Sequence, residues 1–167
     1  MCHTGINTSR LLFRNIIMLL ICTTAAGVIR AQNNSNNLTL TAINTGFTLN
    51  NVSAIETQQI NPNAFQIVVN SRSSNLFSVR ARVSASTSST GTPFPASMLS
   101  LRCNSTSPPV TANTNTITLS NTDQLLQQIN STKNNVTFNY DLLLDPVGYN
   151  YAPGNYNLTI LFTMTQP

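Results

Sequence analysis

From residue 38 onward, apolar and polar residues alternate with a period of two through most of the chain. That spacing puts successive side chains on opposite faces of a sheet. Leu38-Thr39-Leu40-Thr41-Ala42 is the first such run, and Ala64 to Ser71 carries Phe65, Ile67 and Val69 on one face. In the clearest run, Phe77, Val79, Ala81, Val83 and Ala85 oppose Arg80 and Arg82. Leu99-Ser100-Leu101-Arg102-Cys103 repeats the form, and Ile117 with Leu119 marks another strand. Val136, Phe138, Tyr140, Leu142 and Leu144 mark a long one. Tyr156, Leu158, Ile160, Phe162 and Met164 mark the last, and these five are expected to form its core face.

Turn chemistry separates the runs. Ser86–Pro95 is rich in Ser, Thr, Gly and Pro, Pro108-Pro109 and Thr111–Asn115 break the middle, and Pro153-Gly154 suits a tight turn. Only Asp123–Ile129 spaces its apolar residues, Leu125, Leu126 and Ile129, as a helix would, and a strand fits it equally. No repeat of the roughly 20–30 residues expected of a parallel β-helix is present. The pattern predicts an all-β fold: an immunoglobulin-like antiparallel β-sandwich of about seven to nine strands. Order is least expected in the polar stretches Gln32–Asn37 and 86–95.

Residues 1–31 read differently. Arg10 and Arg14 form a basic start, Ile16–Cys22 an apolar run, and small residues follow. Ala31 fits the −1 position of a secretory signal peptide cut before Gln32, with a cut after Ala26 or Gly27 as the alternative. The apolar run is shorter than the ~20 residues a spanning helix needs, and bulky Ile21 disfavours lipid attachment at Cys22. The expected organisation is a signal peptide, 1–31, and one β-sandwich domain, 32–167, exported to the periplasm, cell surface or medium. No membrane span is expected after cleavage. The processed chain would keep one cysteine, Cys103, so no internal disulfide can form. Its alternation with Leu99 and Leu101 predicts burial.

Charge changes the picture by its scarcity. Asp, Glu, Lys and Arg make up 7% of the chain, and the formal net charge is +4. Arg10, Arg14 and Arg30 belong to the signal segment, which leaves five cations against four anions and argues against a nucleic-acid partner. The only histidine, His3, is in the same segment. Hydrolase triads, which normally need a histidine base, and zinc sites, which need Cys and His clusters, are therefore out of reach. Lys133 is the only lysine and sits in a polar tract, a poor setting for a catalytic base or for an isopeptide bond assisted by Glu56. Asp141 and Asp145 are the nearest thing to a glycosidase carboxylate pair, but the alternation predicts a solvent-facing strand acid and a turn residue. No phosphate-binding glycine loop or calcium loop occurs, and no cofactor is expected. Arg80, Arg82 and Arg102, with Arg72, form a candidate face for a polyanion, and equally a face that keeps a sheet soluble. Seven N-x-S/T sequons follow residue 32, against roughly six expected by chance from this composition, so they say little.

The last thirty residues carry a family likeness. Tyr149-Asn150-Tyr151 leads to Ala152-Pro153-Gly154-Asn155-Tyr156 and then to a terminal strand alternating apolar residues with Thr. This G-x-Y turn and closing strand resemble those of WxL-type cell-wall-associated domains and of spore-coat-U-like secreted pilin domains. Phe77-Ser78-Val79 and Phe162-Thr163-Met164 stand where the two W-x-L motifs would fall, and both tryptophans are absent. The resemblance implies an exported bacterial β-sandwich; without the tryptophans it does not carry over peptidoglycan binding.

Export, sheet pattern and missing catalytic groups together predict a non-catalytic surface or matrix protein, structural or adhesive. Its expected partners are other envelope proteins or a cell-surface polysaccharide. A pilus-type subunit is the alternative, with Gln32–Ile43 donating a strand to a neighbouring copy. A secreted carbohydrate-active enzyme or carbohydrate-binding module is the remaining one.

Overall fold

The computed structural model describes the backbone of residues 18–23, 37–70, 76–130 and 135–165, and the side chains of 37–70, 76–129 and 135–165. Arg72, Lys133 and Gln32–Asn36 lie outside the described residues, as do residues 1–17 and 24–31 of the expected signal peptide. The described residues form two five-stranded sheets. In chain order the strands are β1 (Met18–Thr23), β2 (Asn37–Ala42), β3 (Gly46–Leu49), β4 (Gln59–Asn70), β5 (Leu76–Ser88), β6 (Leu99–Ser107), β7 (Thr116–Thr118), β8 (Gln124–Asn130), β9 (Val136–Leu144) and β10 (Asn155–Thr165). The first sheet has the order β3-β1-β10-β5-β8 and the second β2-β4-β9-β6-β7. Every pairing is antiparallel except that of β1 with β10, which is parallel. The fold is thus mostly β and consistent with a sandwich, with nine strands after residue 36.

The inner faces follow the alternation. Phe65, Ile67 and Val69 on β4, Phe77, Val79 and Ala81 on β5, and Phe138, Tyr140 and Leu142 on β9 are all buried. On β10, Tyr156, Leu158 and Ile160 are fully buried, Phe162 is 8% exposed, and Met164 packs partly buried at the margin. Phe162 meets Phe65 of the facing sheet with ring centroids 5.3 Å apart, one of the contacts that join the two layers.

Three local features go beyond the alternation. Of the two readings open for Asp123–Ile129 the strand holds: Leu125, Leu126 and Ile129 lie in β8, whose pairing with β5 outweighs the weak helical spacing. A short helix, α1 (Val52–Glu56), stands instead in a segment without apolar periodicity; the Asn51 side chain caps it by accepting from Ala54 N at 2.8 Å. The 86–95 stretch is anchored, not loose. Phe94 is buried and stacks on Tyr156 at 4.0 Å between centroids, with Tyr151 edge-on to it at 4.6 Å. Gly154 completes this corner, since a Cβ there would collide with the Thr90 side chain.

Candidate functional site

The geometry singles out a strand-wide seat between β3 and β10. β1 fills it, with Met18, Leu20 and Ile21 in register with Leu49, Phe47 and Gly46 on one side. On the other side Leu20 and Cys22 are in register with Tyr156 and Leu158. Phe47, Leu49, Tyr156 and Leu158, the neighbours that border the seat, are 4% exposed or less. β1 comes from the stretch expected to be the apolar run of a signal peptide. Among the described residues it is also what links β3 to the remainder of its sheet. Without it, β3 and β10 would each present an unpaired edge beside apolar core side chains, an arrangement that favours capture of another strand.

β2, within the expected donor segment Gln32–Ile43, lies at the outer edge of the second sheet. It pairs with β4 on one side only, from Asn37 opposite Asn70 to Ala42 opposite Phe65. No β2 side chain is fully buried: Leu38 and Leu40 are half-buried and the other four are exposed.

The acid on β9 is a correction. Asp141 is not solvent-facing; it is 3% exposed. Its Oδ2 accepts from Arg102 Nη2 at 2.8 Å and its Oδ1 from Asn63 N at 3.0 Å. Two irregularities built into the neighbouring strands frame it. β4 shifts register between Asn61 and Phe65, where Asn63 takes φ +50°, and β6 shifts between Cys103 and Ser105. Bulges re-aim backbone groups in this way, and alternation alone does not reveal them. Asp145 accepts from Gln58 Nε2 at 3.0 Å in an exposed setting, so the two carboxylates have unlike environments.

The arginines do not form one face. Arg80 and Arg82 lie on β5 in the first sheet, Arg82 beside Asp123 at 3.7 Å, while Arg102 lies on β6 in the second and is engaged by Asp141. Glu56 accepts from the hydroxyl of the exposed Tyr149 at 3.1 Å. That contact raises the Tyr149 pKa, chiefly through the hydrogen bond to Glu56. Cys103 is buried, and desolvation, then the Asp141 charge, pushes its thiol pKa up, the opposite of an activated thiolate. Gln127, also buried, accepts from Asn113 N at 2.8 Å and donates to Asn113 O at 2.9 Å, pinning the turn before β7.

Among the described residues no group of three His, Cys, Asp or Glu side chains is placed to hold a metal ion, and no helix is long and apolar enough to cross a membrane. The chain matches no family model and no curated protein.

Proposed function

We propose that this chain is an exported, non-catalytic building block of a cell-surface or extracellular assembly. In this reading it is an immunoglobulin-like sandwich whose seat between β3 and β10 takes a strand from a neighbouring copy. The observation that carries the reading is the position of β1, a segment with signal-peptide character seated as an internal strand. Cleavage before Gln32 would empty the seat and leave two backbone edges and an apolar floor. β2 is the supply: an alternating six-residue strand held on one side only. In its own sheet it leaves one edge unpaired; between β3 and β10 it would be paired on both.

The test uses the full chain, exported and processed by a bacterial host. Mass spectrometry of the product should start it at Gln32. The processed chain should form concentration-dependent oligomers, seen by sedimentation and electron microscopy. A synthetic peptide of Met18–Thr23 should shorten them by occupying the seat. A product that stays monomeric at every concentration and does not bind the peptide would overturn the reading.

A further inference from the structure

The spacing between β1 and β2 carries a second step, which rests on the strand-exchange reading. β1 pairs with β3 through Met18–Leu49, Leu19–Thr48, Leu20–Phe47 and Ile21–Gly46. Adding twenty to each β1 position gives Leu38, Thr39, Leu40 and Thr41. Those residues can meet the same four β3 partners as a hairpin whose loop is the four residues Ala42-Ile43-Asn44-Thr45. Four-residue loops are among the common hairpin connections. The residue types match as well: Met, Leu and Cys at 18, 20 and 22 correspond to Leu, Leu and Ala at 38, 40 and 42, two large residues and then a small one.

We propose that, once the leader strand is removed, β2 leaves β4 and fills its own chain's seat, closing on β3 as a hairpin with Leu38 opposite Leu49 and Leu40 opposite Phe47. In that register the direction of β2 is that of β1, parallel to β10, and Leu40 and Ala42 come opposite Tyr156 and Leu158. A three-residue loop would shift the pairing by one and turn Thr39 and Thr41 toward the core instead, so the four-residue loop is the one the alternation selects. Three features favour the move. β2 has one paired edge and half-buried leucines where it is, and would gain a second paired edge and full burial. In its hinge, Ile43 N and Asn44 N share one acceptor on β4, Ala64 O, at 2.8 and 3.4 Å. Tethering by four residues also gives β2 a far higher effective concentration at its own seat than at a neighbour's. The hairpin form is then the closed monomer, and assembly is the exchange of the same strand, in the same register, between copies.

Paired cysteines decide it. Thr39 and Thr48 are both exposed and come opposite each other only in the hairpin; Thr39 and Val68 are opposite each other in the present second sheet. The full chain carrying Thr39→Cys and Thr48→Cys is exported, processed and oxidised, alongside one carrying Thr39→Cys and Val68→Cys. Non-reducing gels and peptide mapping should show an intrachain 39–48 bond in most of the dilute processed chain, and at least tenfold less of it in chain retaining residues 1–31. An intrachain 39–68 bond with no 39–48 bond would overturn the inference, because β2 would have stayed on β4. A 39–48 bond found only between chains would also overturn it while supporting strand exchange. If the processed chain neither forms a 39–48 bond nor takes up the Met18–Thr23 peptide, both this inference and the exchange reading fail.

Discussion

The buried polar groups are the residues whose substitution says most. The Tyr140 hydroxyl lies in the core without a well-formed hydrogen bond, although the Gln127 side chain is close enough to act on it; burial raises its pKa well above that of a free tyrosine, and Gln127 opposes the rise. Tyr140→Phe removes a buried polar atom that lacks a well-formed hydrogen bond and keeps the ring, so thermal melts at neutral pH should show no loss of stability, or a small gain. The sign with pH follows from the shifts. Tyr140 and Cys103 both hold their protons more tightly folded than unfolded. Their contribution is therefore complete below the unfolded pKa values and is lost as pH rises, from about 9 for the thiol and about 10 for the phenol. Melting temperature should fall above that range, and less steeply in Tyr140→Phe. Arg102→Ala should strip Asp141 of its ion pair. The cost should be about 1–3 kcal/mol, below the 3–5 typical of breaking a fully buried pair, because the Arg102 side chain is 40% exposed and solvent shares the screening. Chemical denaturation of both variants measures these differences.

At the scale of elements, β10 joins β1 and β5 within its sheet and meets β4 across the core. Phe162→Ala should cost about 3–5 kcal/mol, since the ring is nearly buried and its loss opens a cavity beside Phe65. Thr163, one residue on and on the opposite face, is half-buried with an unpartnered hydroxyl. Thr163→Ala should cost less than about 1 kcal/mol. Equal melting temperatures for the two variants would mean that the faces of β10 are reversed. Most strands were legible in the alternation because a sheet with one face buried enforces it; the apolar residues of the long runs fall on β4, β5, β6, β9 and β10. β3 was not legible, since Phe47 and Leu49 give too short a run to stand out, and pairing with β1 defines it. α1 rests on the Asn51 cap and on Ile55 packing into the core, neither of which leaves a periodic signal in five residues.

For the whole molecule, the role proposed for the seat between β3 and β10 is tested by deletion. Removing Gln32–Asn36 should leave both melting and assembly of the processed chain unchanged, because these residues precede the strand. Removing Gln32–Ala42 should abolish assembly and lower the melting temperature, since it takes away β2, the strand proposed to complete the first sheet. Calorimetry and sedimentation on the two deletions separate a tail from a working strand. Far-ultraviolet circular dichroism of the processed chain should stay dominated by β-structure, as nine strands after residue 36 require.

The sequence by itself determined the sheet-rich class, the faces of the long strands, the burial of Cys103 and the lack of a histidine outside the first 31 residues. Each of these is local: it depends on what a residue is and on its neighbours one or two positions away. Tertiary structure decided what depends on distant partners. It placed Asp141 under Arg102 and Asn63, because bulges in β4 and β6 redirect groups that alternation points elsewhere. It separated Arg102 from Arg80 and Arg82, because the strands that carry them belong to different sheets. It also brought residues 18–23 between β3 and β10, about 25 and 135 positions away along the chain, because backbone edges pair by proximity in space and carry no mark in the sequence.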